Sequence, residues 1–238
     1  MQYNYKLEMH LHTFRNSACA KERPRDIAGI YARAGYDGIV CTNHLNRHDL
    51  YGYVAPLRKR IFRGAMECWL ADFRELKEEC RKVGIDVFFG AELAPDLFTY
   101  YKPEHPYAEF LIYGATEDDA LRFGEEWLDY DQKTLYEWCE VEGALLVQAH
   151  PYREICDVAD VRFLHGAEIA NLHPGHDSHN DLARKLCEEN GLIGTGGSDF
   201  HFRGGEGGGV LFPRAPRDEK ELAEILVSRD FEVIGTRP

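Results

Sequence analysis

A chain of 238 residues with 44 % hydrophobic side chains can bury one core of barrel size, and a single domain is the simplest partition. Its 28 Lys and Arg against 41 Asp and Glu leave a formal charge of −13, which argues against nonspecific binding to nucleic acid or to an anionic membrane surface. The seven cysteines are scattered without a Cys-x-x-Cys pair, no apolar run reaches the ~20 residues of a membrane span, and the amino terminus lacks a secretory pattern, so a reduced, cytoplasmic protein is expected.

The first apolar run, Lys6 to His12, reads as a strand, and alternation puts His10 and His12 on one side of it. Pro24 to Ala34 places Ile27, Ile30 and Tyr31 at helical spacing behind Pro24 and Asp26. Gly38 to His44 is a second strand with His44 at its end. The connection from Leu45 to Trp69 carries Arg47, Arg58, Lys59, Arg60 and Arg63 against Asp49 and Glu67. Two readings fit it: a lid that draws in an anionic substrate, or a helix with Leu57, Ile61 and Met66 inward. Leu70 to Val83 is helical and stops at Gly84; Ile85 to Glu92 is a strand with Glu92 at its end.

Further strands are expected over Glu109 to Gly114, Ala144 to His150, Ala167 to Leu172 and Leu192 to His201, the last bearing Asp199 and His201. Helices are expected over Asp131 to Glu142 and over Asp181 to Asn190, the second closed by Gly191. The stretch Gly204 to Gly209 lacks the Lys-Ser/Thr of a phosphate loop and reads as a flexible rim loop. Pro216 to Arg229 is the final helix, before a short strand from Phe231 to Gly235.

Strands alternating with helices imply an α/β barrel with a mostly parallel sheet, and such a barrel delivers the carboxyl ends of its strands to one face. Seven potential metal ligands, His10, His12, His44, Glu92, His150, Asp199 and His201, sit at five of those ends. A lone histidine is more often a hydrogen-bonded structural residue; the coincidence of five strand ends carries the argument. Imidazoles with carboxylates suit Zn, Mn or Fe. Arg15, Arg153 and Arg203 each follow a ligand-bearing end and are the candidates for gripping a phosphate, against the ordinary fate of rim charges. The loop holding His173, His176 and His179 contains Pro174 and Gly175 and reads as irregular, while His48 and His165 read as surface or packing residues.

His10-x-His12-Thr13, Thr42-Asn43-His44, Gly90-Ala91-Glu92, Ala149-His150-Pro151 and Gly197-Ser198-Asp199-Phe200-His201 resemble, in this order, the successive signatures of the PHP (polymerase and histidinol phosphatase) domain. The resemblance spans the chain. It implies a distorted (β/α)7 TIM-like barrel holding two to three divalent metal ions, and a metal-dependent phosphoesterase acting on a small phosphorylated metabolite or nucleotide through a metal-bridging hydroxide. By that similarity His10, His12, Glu92 and Asp199 hold a first metal, Glu92 bridges to a second also bound by His150, and His44 and His201 serve a third. Glu92 and Asp199 are then the catalytic carboxylates.

Three positions depart from the pattern. Ala18 and Cys19 stand where an acidic residue or His is usual, Asn43 replaces an Asp, and Glu109, with His105 as its rival, stands in for a His at the start of the fourth strand. A binuclear core is therefore expected more firmly than a third metal. Two alternatives remain: an amidohydrolase-like C–N hydrolase, which would place a carbamylated Lys where Glu92 stands, and a metal-binding regulatory domain that lost turnover with Ala18 and Asn43.

Overall fold

The apolar runs become the staves of one sheet. A computed structural model of the chain describes residues 3–52, 62–98 and 107–235. Its strands are β1 (Tyr5–Leu11), β2 (Gly38–Cys41), β3 (His44–Leu45), β4 (Asp86–Leu93), β5 (Phe110–Tyr113), β6 (Leu145–Gln148), β7 (Gly166–Asn171), β8 (Ile193–Gly197), β9 (Val210–Phe212) and β10 (Glu232–Val233). Nine of them follow the order β10-β9-β1-β2-β4-β5-β6-β7-β8, and β3 pairs with β4 beside that path. The two sides of the sheet meet above β8, where the His12 amide donates to the Phe200 carbonyl and the Phe200 amide to the His10 carbonyl, both at 3.0 Å. The result is a nearly closed, distorted α/β barrel of the TIM-like kind.

The helices are α1 (Pro24–Arg33), α2 (Arg47–Gly52), α3 (Phe62–Arg81), α4 (Glu117–Trp127), α5 (Gln132–Glu142), α6 (Asn180–Asn190) and α7 (Glu219–Ser228). Their ends obey local chemistry. Asp131 and Asp218 cap α5 and α7 by accepting from backbone amides three residues on, and Gly191 closes α6 at φ 65°, a conformation that costs glycine little. The helix α4 escapes a reading of apolar period because its buried face is only Ala120, Gly124 and Trp127. It carries instead a reciprocal cap between Thr116 and Asp119.

Along the path from β1 to β8 one strand runs backwards. β5 is antiparallel to both β4 and β6, while the pairs β1–β2, β2–β4, β6–β7 and β7–β8 are parallel. Two helices, α4 and α5, separate β5 from β6; a pair of helices returns the chain to the end it left, and so reverses the next strand. The consequence is functional. The beginning of β5, not its end, reaches the face where the other strands end, and Glu109 stands immediately before it.

Apolar side chains divide between two clusters. The inner one takes Leu7, Met9, Val40, Phe88, Leu111 and Val147 from the strands and is plugged by Leu222, Ile225 and Leu226 of α7. The outer one packs Ile39, Phe89, Ile112 and Leu146 against helical residues such as Ile27, Leu70, Phe73 and Leu135. Above the inner cluster the same rows continue as polar side chains, with Glu92 two positions beyond Gly90 and four beyond Phe88 on β4.

The glycine stretch differs from the flexible rim loop expected of it. Gly208 and Gly209 are buried, the Tyr36 hydroxyl donates to the Gly208 carbonyl at 2.6 Å, and a Cβ on Gly209, at φ 119°, would fall 2.1 Å from the Leu7 carbonyl oxygen. These residues lead into β9, an antiparallel neighbour of β1 that alternation in so short a run does not reveal. Within the long connection after β2, Met66 is buried as the helix reading expects, whereas Arg58, Lys59 and Arg60, the heart of the lid reading, lie outside the described residues. Among the described residues no helix is long and apolar enough to cross a membrane.

Candidate metal centre

A slip in the first strand builds the centre of the site. The pairing of β1 with β2 shifts between Glu8 and Leu11. Leu7 and Met9 join the inner cluster but Leu11 joins the outer one, so the strand changes parity at the slip. His10 and His12 thus both enter the barrel mouth, and Glu8 is left to accept from the Tyr31 hydroxyl at 2.9 Å and the Ser198 amide at 2.8 Å. On the far side Gly197 makes room: a Cβ there would lie 2.3 Å from that of His10.

Register places the next ligands. His44 of β3 pairs directly with Glu92 of β4, and its Nδ1 lies 2.7 Å from Glu92 Oε2. Glu92 Oε1 lies 3.2 Å from His10 Nε2 and 3.1 Å from His150 Nε2, while Oε2 lies 3.4 Å from His12 Nε2. Asp199 Oδ1 faces His12 Nε2 at 3.2 Å, His201 Nδ1 at 3.3 Å and His10 Nε2 at 3.4 Å. Glu109 completes the ring, 3.7 Å from His150 Nε2 and 3.8 Å from His44 Nδ1. His150 and Asp199 hold φ of 25° and 49°, conformations that cost on the order of 1–3 kcal/mol and collect at functional sites.

The donor set fits divalent cations. His10 Nε2, His12 Nε2 and Glu92 Oε2 are buried without a hydrogen-bond partner, an arrangement proteins avoid unless something else satisfies the atom. Among the described residues three groups offer one ligand atom per residue, all mutually within 4.8 Å: His10, His12 and Glu92; His44, Glu92 and Glu109; His12, His44 and His201.

Behind these atoms lies a shell that sets their orientation. Glu168 Oε1 holds His10 Nδ1 at 3.1 Å, and its Oε2 accepts from the His150 amide at 3.2 Å and from Asn171 Nδ2 at 2.8 Å. Arg153 donates through Nη2 to Asp199 Oδ2 at 2.6 Å and to Asn171 Oδ1 at 3.0 Å. His201 Nδ1 lies 2.8 Å from the Asp199 carbonyl oxygen, which can only accept, so that nitrogen carries the proton. Asn43 is no ligand: its Oδ1 accepts from the Thr13 amide at 2.7 Å and the Thr13 hydroxyl at 3.1 Å, fixing the loop after β1.

The electrostatics are those of a buried charge cluster. Burial opposes a charge on His10, but Asp199, Glu168 and Glu92 outweigh it and lift the imidazole well above its ordinary range. Burial, then His44 and His201, push His12 well below. Asp199 and Glu92 would be raised by burial, yet His10 and its neighbours hold both carboxyls well below the usual carboxylate range. Burial, followed by repulsion from Glu92, raises Glu109. Burial also opposes ionisation of Cys19, but hydrogen bonds to His201 and His44 draw its thiol down to about 7.

The seven sequence-predicted ligands are thus brought to one rim. The three arginines divide. Arg153 lies within the site at 14 % side-chain exposure, with its Nε lacking a partner. Arg15 instead pairs with Asp72 and Glu75, and Arg203, 61 % exposed, lies 4.0 Å from Glu22. His105 lies outside the described residues, so of the two rivals at that corner the described one is Glu109. His173 packs edge-on against His201, ring centres 5.3 Å apart, although its loop is irregular. His165 accepts from the Leu146 amide and stacks on Tyr136 as a packing residue. Sequence reasoning passed over Glu8 and Glu168, for which the available signal was a lone carboxylate inside an apolar strand.

Residues 177–230 match the model of the PHP-associated family. No curated protein matches the chain in sequence. Among solved structures the chain resembles a two-domain protein of Bacteroides vulgatus containing a predicted PHP-like metal-dependent phosphoesterase, at 18 % identity and a TM-score of 0.64. That match covers 96 % of this chain and 64 % of the other, so the chain spans less than two thirds of that protein. It also resembles a Bifidobacterium adolescentis protein named as a candidate metal-dependent phosphoesterase (13 % identity, TM-score 0.54, 94 % and 96 % covered). A third likeness is to an amidohydrolase of Chromobacterium violaceum with bound sulfate and no metal (13 %, 0.56, 97 % and 98 %). At such identities these likenesses are of fold. With its ordered signatures gathered on one rim of that fold and a carboxyl-terminal segment that matches the PHP-associated model, the chain is similar to the PHP-domain family in fold and in that segment.

Proposed function

We propose that the chain is a metal-dependent phosphoric ester hydrolase acting on a small phosphorylated metabolite or a nucleotide. The observation that carries this reading is the set of buried, unpartnered atoms His10 Nε2, His12 Nε2 and Glu92 Oε2 at the point where five strand ends meet. His10, His12, Glu92 and Asp199 would hold one divalent ion, Glu92, His150 and Glu109 a second, and His44 with His201 an outer one; Zn, Mn or Fe suits these donors. Such ions supply Lewis acidity toward a phosphoryl group and ionised water near neutral pH.

The chain's own residues do the rest. Glu92 turns one oxygen toward His10 and His150 and the other toward His12 and His44, so its carboxylate lies among the donors that would hold more than one ion. Arg153 keeps Asp199 turned inward and offers its unpartnered Nε to an anionic group. A cavity of about 360 Å³, lined by Cys19, His44, Arg47, His48, Tyr107 and Glu109, opens beside the outer donors and is of a size for a small molecule. Arg47 is committed to Asp96 and Asp129, so neutral parts of the substrate are expected there.

Glu92 at the bridging position favours ester cleavage over a centre built on a carbamylated Lys. The test is an assay of protein loaded with Mn or Zn against p-nitrophenyl phosphate, its bis ester, nucleoside monophosphates and a panel of N-acyl amino acids. Phosphate or nitrophenol release that Glu92→Gln abolishes is the expected outcome. Turnover of the amides alone would assign C–N hydrolysis, and binding of metal without any turnover would assign a regulatory domain.

A further inference from the structure

Cys19 occupies a place that packing does not explain. Its Sγ lies 3.0 Å from His201 Nε2 and 3.3 Å from His44 Nε2, nitrogens delivered from beyond β8 and from β3. The loop that presents it is tied to the same histidines. Ser17 Oγ accepts from the His44 amide at 3.2 Å and lies 3.1 Å from His12 Nδ1, and the Lys21 amide donates to the His201 carbonyl at 2.8 Å. Because His201 carries its proton on Nδ1, toward the Asp199 carbonyl, its Nε2 presents a lone pair on the side of the sulfur.

A second observation points to a ligand at this spot. His12, fully buried and with Nε2 unpartnered, offers a ligand atom within 4.8 Å of those of His44 and His201. The cysteine therefore faces two of these three imidazoles, with the third behind them.

We propose that Cys19 is a thiolate ligand of the outermost metal position, completing with His44 and His201 a mixed sulfur–nitrogen site selective for zinc or another thiophilic divalent ion. Zn–S and Zn–N bonds of about 2.3 and 2.0–2.1 Å imply a tetrahedral S···N edge of roughly 3.5 Å, so the observed spacings need to open by only a few tenths of an ångström. Binding breaks the S–H bond, releases its proton to solvent and forms the S–metal bond, with no change of oxidation state. A soft thiolate where the family resemblance leads one to expect a carboxylate or His moves preference away from Mn. The centre is thus divided: oxygen and nitrogen donors within, sulfur at the rim. This inference rests on the metal centre proposed above but not on the reaction assigned to it.

The test is a cobalt and zinc titration of the chelator-treated full chain and of its Cys19→Ser, Cys19→Asp and Cys156→Ser variants, with Cys156, 3.5 Å from His150 Nδ1, as the control thiol. Expected are a near-ultraviolet thiolate-to-cobalt charge-transfer band in the wild type and in Cys156→Ser, and its loss in Cys19→Ser. One zinc equivalent per chain should weaken by more than roughly tenfold in Cys19→Ser, beyond the mildest loss of an outer partner. Cys19→Asp should hold the same number of ions without the band and bind Mn more tightly than the wild type does. Cobalt bound without a thiolate band, or a band that survives Cys19→Ser, overturns the assignment of Cys19 and leaves the inner centre standing. Failure to bind any cobalt overturns both.

Discussion

The inner and outer halves of the metal centre are built on different terms. His10, His12, Glu92 and Asp199 have side chains at 0–1 % exposure, each faces at least two imidazole or carboxylate partners of the other kind, and Glu168 stands behind His10. His44 and His201 are 16 % and 12 % exposed, and Cys19 beside them reaches the surface. Removing one member of a buried charge set leaves the others uncompensated, at a cost of about 3–5 kcal/mol, whereas water covers a similar loss at a rim. The inner set therefore admits few alternatives and the outer set many. Ala18 and Cys19, where the chain departs from the expected ligand pattern, fall on the outer side.

This contrast can be broken most severely at Glu92, which both halves share. Glu92→Gln should lower metal content and turnover by at least roughly 100-fold, the upper end of what an outer-shell partner contributes, as read by metal analysis and phosphate release. Equal metal content in the variant would show that the two halves do not depend on it. Glu168→Gln, which leaves every ligand in place, should cost roughly 10–100-fold in affinity for the inner ions while the thiolate band at Cys19 is unchanged. Loss of that band would mean that the halves are coupled.

Chelation sharpens the same division through stability. Free metal at 100 times its dissociation constant stabilises a fold by about 2.7 kcal/mol, so treatment with a chelator should lower Tm by roughly 5–10 °C. The gap should depend on pH. In the metal-free protein the carboxylates raise His10 and His44 well above the imidazole range. Burial opposes a charge on His150, but its bonds to Cys156 and Glu92 lift it to about 10. A raised folded pKa contributes stability that is full below about 6.5, the unfolded value, and lost as pH rises through the folded one. Metal competes with those protons. The Tm difference between loaded and chelated protein should therefore widen from pH about 6 to about 9, and a constant difference would show that these imidazoles are not the ligands. The smallest effect belongs to the far end of the barrel: Asp218→Ala removes the cap of the plugging helix α7 and should cost about 1 kcal/mol, roughly 2–4 °C, with metal content unchanged.

Local pattern determined a good deal of this protein. The strands that carry the ligands, the helices closed by Gly191 and capped by Asp131 and Asp218, and the gathering of His10, His12, His44, Glu92, His150, Asp199 and His201 on one face all follow from apolar periodicity and from the geometry of strands in a barrel. Partnership does not follow from it. Glu168 and His10 stand 158 residues apart, and Tyr31 of α1 meets Glu8 of β1 through a hydrogen bond that no local pattern announces. Nor does a short strand announce its direction: β5 runs antiparallel to both β4 and β6, and that reversal is what brings Glu109 to the rim. The same limit explains Arg15, which sits in sequence beside a ligand strand yet turns in space toward Asp72 and Glu75. Periodicity records which side of an element faces the core; which charge answers which is decided by distances that exist only once the sheet has curled and its two edges have met.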